Sequence, residues 1–283
     1  MNPFHQRRMT RIALTCALAA TLAACGGGSG TAAKTGYFID SAVQGLQYKS
    51  GSLTGFTDSS GAFQYEEGQP VTFSIGSLEL GSVTVTHSRV FPVDLIAGAK
   101  DETHPKVSLM AQVLQTLDSD GDASNGITIT DSTRQALNQV IQLASADPTQ
   151  AASALTQLLA AATQNRARAL VGASAAQSHL QANLVQEYAG NWSGSFSGGD
   201  KGDCQVVISP GGVVSGTCTS AELGGGKFNL GGTVSSSGES SAASGGASTG
   251  ATFTGVYSRG GLVTGQWRNS QYNLSGSWTL KKV

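Results

Sequence analysis

The chain has 283 residues, of which 38 are Gly and only 12% are charged, and its formal net charge at pH 7 is −1. A weakly acidic chain lacks the basic surface that phosphate groups attract, which argues against nucleic-acid binding and against a polybasic membrane contact. Abundant glycine with few charged residues is more typical of a turn-rich β protein outside the cell than of a cytosolic enzyme.

The first 24 residues have the layout of a secretory signal. Arg7, Arg8 and Arg11 precede an apolar run over residues 12–24 that ends in small residues. The run is too short to span a bilayer as a helix. The signal carries three of the 17 Lys and Arg residues and no acidic residue, so the remaining chain has 14 basic and 18 acidic residues and a net charge of −4.

The signal ends in Leu-Ala-Ala-Cys at positions 22–25, which resembles the lipobox of bacterial lipoproteins. The resemblance implies cleavage before Cys25, attachment of diacylglycerol to its thiol and acylation of the new amino group. Several acyl chains give stable membrane anchoring. Gly26 follows, and by the same resemblance it favours the outer membrane over the inner membrane. Whether the folded part faces the periplasm or the cell exterior stays open.

Residues 25–36 are predicted to be the lipidated cysteine and a flexible tether, because they show no apolar pattern. Residues 37–90 contain short apolar runs separated by Gly, Ser, Asp and Pro, which predicts a string of short strands. Within them Phe56-Thr-Asp-Ser-Ser-Gly-Ala-Phe63 resembles a hairpin motif of the carboxypeptidase-regulatory and transthyretin-like β-sandwich modules. The resemblance implies a spacer or binding support and carries over no catalytic residue.

Residues 91–189 change to apolar positions at helical spacing, which predicts a helical segment. The second of its helices is expected to continue to Ala144. The predicted helix starts are Pro105 after His104, Asp131 or Ser132, Asp147 with Pro148, and a capping box from Ser174 to Gln177.

An acidic loop between the first two predicted helices is the candidate metal site. Alternate carboxylates present several hard oxygens to one point, as Ca²⁺ requires. The loop departs from the EF-hand pattern, since Ala123 and Ile129 stand where that pattern needs Gly and Glu. A calcium site and a solvated turn that caps the next helix are both compatible with it. The candidate ligands are Asp118, Asp120, Asp122, Asn125 and Asp131.

Residues 190–283 repeat the pattern apolar-x-Gly-x-apolar. All three marked residues face one side of a strand, and the glycine lets a strand bend or a ring cross it. This predicts an antiparallel meander that curls into a barrel, closed by pairing of the first and last repeats. Residues 235–250, rich in Ser, Gly and Ala, are predicted to be a mobile loop. The repeats are centred on Gly194, Gly216, Gly232, Gly255, Gly265 and Gly276.

The opening Gly-x-Trp and the glycine-rich meander are similar to avidin-like and lipocalin-like barrels. A ligand-binding barrel would have an open mouth lined by Trp192, Trp267 and Trp278. The aromatic residues that could line a pocket are Trp192, Tyr257, Trp267, Tyr272 and Trp278. The alternative is that these rings fill the core of a small barrel, whose interior has room only for side chains.

Cys204 and Cys218 are the two cysteines left after Cys16 leaves with the signal and Cys25 takes lipid. They are equidistant from Gly211 in a predicted Pro-Gly-Gly hairpin turn, which places them opposite each other. In an oxidising compartment this predicts a disulfide.

The sequence contains only weak matches to catalytic motifs. Residues 246–250 match Gly-x-Ser-x-Gly, but the strand before and the helix after that an elbow needs are missing. His87, His104 and His179 are far apart in sequence, without metal-ligand or triad spacing. We therefore expect an α+β multidomain, non-enzymatic outer-membrane lipoprotein with binding, adhesion or structural modules and an unknown envelope partner. A tethered small-ligand-binding barrel is the alternative, and a hydrolase assembled from distant segments is a third hypothesis.

Overall fold

A computed structural model describes residues 32–137, 141–162, 169–222, 224–244 and 250–283. The predicted signal, Cys25 and most of the tether lie outside these residues. The described chain has an α+β fold with an N-terminal lobe, residues 32–189, followed by a closed antiparallel barrel, residues 190–283. Among the described residues, no helix is both long and apolar enough to cross a bilayer.

The described part of the N-terminal lobe contains three sheets and four α-helices. The strand orders are β5-β1-β8, β10-β7-β6-β3-β4 and β2-β9. The strands are β1 Ala33–Phe38, β2 Val43–Gln44, β3 Gln47–Ser50, β4 Leu53–Phe56, β5 Ala62–Glu66, β6 Pro70–Ile75, β7 Leu78–Thr84, β8 Arg89–Val90, β9 Ile127–Thr128 and β10 Ile141–Gln142. The helices are α1 Pro105–Thr116, α2 Asp131–Ala136, α3 Pro148–Ala162 and α4 Ala173–Gln186.

Residues from the predicted sandwich module and from the predicted helical segment share one apolar core in the lobe. Phe73 packs edge-on against Phe38 and Phe63, with ring centroids 4.8 and 4.9 Å apart. Met110 and Leu114 of α1 are fully buried in the same core. Strands β9 and β10 also pair with strands of the preceding module. The boundary predicted at residue 90 therefore does not separate two cores.

Three details of the lobe differ from the sequence predictions. Residues 33–36, assigned to the tether, belong to β1, which pairs with β5 from Ala33 onward. The predicted second helix does not reach Ala144, because α2 ends at Ala136 and Ile141 pairs with Leu78 of β7. The predicted capping box from Ser174 to Gln177 is wrong, since both residues lie inside α4.

Helix starts that rest on an acceptor side chain before proline are confirmed. Asp147 Oδ1 accepts hydrogen bonds from the backbone N–H groups of Thr149 and Gln150, both at 3.0 Å. His104 Nδ1 accepts from the N–H of Lys106 at 3.3 Å. Helix α2 is capped by Thr130, whose hydroxyl accepts from the N–H of Thr133 at 3.2 Å. The predicted caps Asp131 and Ser132 are thus one and two residues too late.

The barrel consists of eight strands in meander order, and β18 closes on β11 with Trp278 opposite Phe196. This confirms the predicted closure by the first and last repeats. Inward positions are mostly apolar, and outward positions carry mainly Ser and Thr. The strands are β11 Gly190–Gly198, β12 Gly202–Ile208, β13 Val213–Ser220, β14 Gly226–Val234, β15 Glu239–Ala243, β16 Ala251–Tyr257, β17 Leu262–Asn269 and β18 Leu274–Lys282.

Strand β15 corrects the prediction of a loop over residues 235–250. It pairs with β14 and β16, and its Ser240 and Ala242 side chains are buried inside the barrel. Small side chains fit a narrow interior, yet they carry little hydrophobic signal in sequence, so the period of two is hidden. Residues 246–249 of the Gly-x-Ser-x-Gly match lie outside the described residues.

The repeated glycines let indole rings lie close to neighbouring strands. A Cβ built on Gly276 would lie 2.6 Å from Nε1 of Trp267, and one built on Gly255 would lie 2.7 Å from Cζ2 of Trp278. At Gly276 the added Cβ would also lie 1.8 Å from the carbonyl oxygen of Ser197, so a larger residue there would clash with the neighbouring strand as well as with the ring. This is the predicted role of the glycine in the repeat.

Candidate functional site

A disulfide joins β12 and β13 inside the barrel, as predicted. Cys204 and Cys218 are directly opposite each other, with Cα atoms 4.1 Å apart. The separation is typical of a non-hydrogen-bonded antiparallel pair, where side chains approach most closely. The hairpin turn is the predicted one, because the N–H of Ser209 donates to the carbonyl of Val213 at 2.9 Å and Gly212 adopts φ +78°.

One end of the barrel, here called the closed end, is filled by Tyr188, Trp192 and Tyr257. The Trp192 ring packs edge-on against Tyr257 at 4.7 Å, and its Nε1–H donates to the carbonyl of Tyr188 at 2.9 Å. The Tyr188 hydroxyl donates to the carbonyl of Ser236 at 3.3 Å. Burial raises the pKa of Tyr257 to about 12. The interior at this end is thus packed with side chains whose polar atoms are mostly satisfied.

The other end, here called the mouth, is an open cavity of about 850 Å³. Phe228 and Phe253 lie nearly parallel, with ring centroids 6.4 Å apart, and Phe253 and Trp267 are likewise stacked at 6.2 Å. Phe196 meets all three rings edge-on. Rigid, mutually packed rings form a preorganised apolar surface. The mouth is lined by Phe196, Phe228, Phe253, Trp267, Tyr272 and Leu274, together with polar rim residues.

The aromatic lining follows from strand alternation. Phe253, Gly255 and Tyr257 share the inward face of β16, and Phe228 and Leu230 share the inward face of β14. The rings of Phe253 and Phe228 therefore point into the barrel. The Trp267 Nε1–H donates to the carbonyl of Ser197 at 2.9 Å. The indole N–H is therefore hydrogen-bonded within the barrel wall, and the ring carbons line the cavity.

Two carboxylates lie at the rim of the mouth. Asp200 Oδ2 accepts from the Ser220 hydroxyl at 2.7 Å, and Oδ1 accepts from the N–H groups of Lys201 at 2.7 Å and Glu222 at 3.1 Å. These bonds connect the turn after β11 to the turn after β13. Glu222 is exposed beside it. Among the described residues that line the mouth, Asp200 and Glu222 are the charged ones.

Of the three predicted ligand residues, the structure places only Trp267 at the mouth. Trp192 lies at the closed end, and Trp278 lies between the ends, packed on Phe253 and Tyr257 at 6.2 and 6.1 Å. The Trp278 Nε1–H donates to wall carbonyls at 3.0 and 3.2 Å. Trp192 and Trp278 therefore fill the interior, which was the alternative interpretation of these rings.

Sequence reasoning missed most of the mouth. Phe196 and Phe253 are repeat residues, and Phe228 shares a face with Leu230, so an inventory of inward aromatics would have found all three. The rim acids Asp200 and Glu222 lie in turns, where the repeat carries no information.

The acidic loop has the contacts of a structured turn. Asp118 accepts from the N–H groups of Gly121 and Thr128 at 2.9 and 2.8 Å. Asp120 accepts from the N–H of Asp122 and from the amide of Asn125, at 2.9 and 3.0 Å. Burial, and then the neighbouring Asp120 carboxylate, raise the pKa of Asp118.

Asp131, the last predicted calcium ligand, forms an ion pair with Arg134 at the start of α2. In the described part of the chain, no group of three or more His, Cys, Asp and Glu side chains is arranged to hold a metal ion. The loop therefore matches the turn interpretation in its contacts, and calcium binding stays a prediction from the sequence.

The fold brings together one serine and one histidine that are 138 residues apart in sequence. Ser41 Oγ lies 3.1 Å from Nε2 of His179, on α4. Asn183 Nδ2 lies 3.5 Å from the same Nε2. A nucleophile–base pair needs a further group that orients the imidazole through its other nitrogen. The described hydrogen bonds show no such group, so this pair connects α4 to the turn after β1 without the geometry of a triad.

No protein-family model matches this chain, and no curated protein sequence matches it significantly. The function is therefore inferred from the geometry of the molecule itself. That geometry offers an open aromatic cavity with an acidic rim, in a barrel whose opposite end is packed.

Proposed function

We propose that this protein is a non-enzymatic lipoprotein of the bacterial outer membrane whose barrel binds a small, largely apolar ligand at the mouth. The observation that carries the proposal is the aromatic cavity of about 850 Å³. Cavities that bind small molecules commonly measure about 300–1,000 Å³ and combine apolar walls with a few polar groups. The similarity to avidin-like and lipocalin-like barrels supports the same function.

The mouth can supply useful binding free energy. A ligand that buries about 200 Å² of apolar surface gains about 5 kcal/mol before the costs of association. The lining rings contact one another edge-on or stacked, so few side-chain rotamers must be fixed on binding. Since 5 kcal/mol by itself corresponds to a Kd of about 0.2 mM, we expect an affinity no tighter than about 0.2 mM for a simple apolar probe.

The lipobox and the polar segment after it support the membrane anchor. In chain order the N-terminal lobe lies between that anchor and the barrel, as a spacer module would, which agrees with the transthyretin-like resemblance of residues 37–90. We expect Cys25→Ser to abolish palmitate labelling and to remove the protein from the outer-membrane fraction. Unchanged labelling would remove the anchor from the proposal.

The experiment for the mouth uses N-phenyl-1-naphthylamine, a neutral apolar dye that fluoresces when bound. Ala251 faces the mouth from β16, so Ala251→Trp fills the cavity with an indole. Val207 is 50% exposed on the outer wall, and Val207→Trp adds the same ring outside. We expect one binding site, an affinity at least tenfold weaker in Ala251→Trp, and no change in Val207→Trp. Equal binding by both variants would contradict the proposal.

A further inference from the structure

We propose that the ligand of the mouth is an organic cation with an apolar or aromatic body. This inference rests on the proposed function and specifies its ligand class. It excludes the fatty-acid anions that an apolar barrel would otherwise suit. The two observations behind it are the sign of the rim charges and the arrangement of the rings below them.

The rim charges are both negative. The described lining includes the carboxylates of Asp200 and Glu222 and no Lys, Arg or His side chain. Coulomb energies between charges a few ångströms apart are larger beside a low-dielectric wall than in bulk water. A cationic group at the rim is thus attracted by two carboxylates, whereas an anionic group is repelled by both.

The neighbouring basic residues are not among the described residues that line the mouth. Lys227 and Arg268 are adjacent to the inward rings Phe228 and Trp267, so they occupy exposed outward positions on β14 and β17. Lys201 follows Asp200 in the same turn and lines a neighbouring pocket, which shares Phe196 and Ser220 with the mouth. The charged side chains of the described mouth lining are therefore both acidic.

The rings favour a cation for a second reason. Aromatic faces attract cations through their quadrupole, and Trp does so most strongly. The closed end already contains such a contact, since Lys282 Nζ lies 6.0 Å from the Trp192 ring centroid. At the mouth, Phe228, Phe253 and Trp267 line the cavity with no lysine or arginine among the described lining residues. A ligand cation that enters the mouth therefore meets aromatic rings without a competing cation from the described lining.

The test compares three probes with the same ten-carbon chain: decyltrimethylammonium, decyl glucoside and decanoate. Each displaces N-phenyl-1-naphthylamine from the full chain below its micellar concentration. We expect decyltrimethylammonium to bind about tenfold more tightly than decanoate, with decyl glucoside between them. In Asp200→Asn/Glu222→Gln the ratio of the affinities for the two charged probes should fall to about twofold or less, and the affinity for decyl glucoside should change less than that for decyltrimethylammonium.

The matched control is Asp203→Asn/Glu239→Gln, which removes two exposed acidic residues from the outer wall. This control changes the net charge by the same amount as the rim variant. With it, decyltrimethylammonium should still bind about tenfold more tightly than decanoate. If the rim double variant does not fold, Glu222→Gln alone should lower the ratio about threefold.

Equal affinity for all three probes, or equal effects of the rim and outer-wall variants, would overturn the cation inference and leave the proposed function intact. If none of the probes displaces the dye and the dye itself does not bind, the proposed function fails instead. Each result therefore decides between the two statements.

Discussion

The two ends of the barrel are built from the same inward-facing alternation, yet one is packed and the other is open. At the closed end, Tyr257 packs edge-on against both Tyr188 and Trp192. At the mouth, five aromatic rings line a cavity of about 850 Å³ without filling it. The strand repeat thus fixes which residues face inward, whereas the connections at each end of the barrel decide whether the interior is closed.

The closed end is closed because the N-terminal lobe reaches it. Tyr188 follows α4 directly and precedes β11, so chain continuity places its ring over the barrel beside Trp192. Arg259, in the turn after β16, forms a two-bonded ion pair with Asp94 of the lobe and lies 5.2 Å from the Phe91 ring centroid. Both partners of the pair are only 18% exposed. The described residues around the mouth come from barrel strands and turns alone.

Truncation of one aromatic ring at each end of the barrel should produce the largest difference in stability. Trp192→Ala removes a ring that is 1% exposed and leaves a closed cavity, so we expect a loss of about 4 kcal/mol in the free energy of unfolding. Phe228→Ala removes a half-buried ring from a cavity already open to water, and it should cost about 1–2 kcal/mol. Urea denaturation of both variants measures the difference, and equal losses would mean that the ends are equally packed.

A second prediction concerns the disulfide, which lies on the mouth side of the barrel wall, since Cys218 is opposite Phe228. The bond closes a loop with a sequence separation of 14, so Cys204→Ala/Cys218→Ala should lower the free energy of unfolding by about 3 kcal/mol. It should also weaken dye binding, because Phe228 loses its fixed neighbour.

The matched control for the disulfide variant is the environment of Trp192. Its emission spectrum, read in a variant with Trp267 and Trp278 replaced by Phe, should stay unchanged when the cysteines are removed. A shift of Trp192 emission together with unchanged dye affinity would place the effect of the disulfide at the closed end and break the comparison.

The barrel was predictable from sequence because most of its strands repeat one pattern. The repeat gave the inward faces and the pairing of β11 with β18, and the Pro-Gly-Gly turn gave the opposition of Cys204 and Cys218. Strand β15 was hidden because Ser240 and Ala242 are too small to signal burial. The mouth was hidden because openness depends on where Tyr188 packs, and this contact lies between the lobe and the barrel.

The N-terminal lobe was predictable in its local signals and less so in its tertiary pairing. Caps formed by an acceptor side chain before proline, such as Asp147, were correct. Ile141 was wrongly placed on a helix face, because a two-residue strand has no periodicity of its own and exists only through pairing with β7. Sequence patterns therefore gave elements, and the contacts between distant segments gave the site.

The smallest expected effect is a difference between the two ends in how stability depends on pH. The pKa of Tyr257 is raised from 10.0 to about 12 by burial. Between these values the unfolded chain has lost the phenol proton and the folded chain keeps it, so stability falls as pH rises, by about 1.4 kcal/mol at pH 11. Tyr257→Phe removes this loss, so its free energy of unfolding should decline less than that of the wild type between pH 9.5 and 11.

Tyr272, 64% exposed at the mouth, provides the control for the same measurement. Tyr272→Phe replaces an exposed side chain and serves as the matched Tyr-to-Phe substitution. Burial also raises the pKa of Tyr188, so Tyr257→Phe keeps part of the alkaline decline and Tyr188→Phe/Tyr257→Phe loses more of it. If Tyr272→Phe changed the pH profile of stability as much as Tyr257→Phe, the contrast between the packed closed end and the open mouth would not hold.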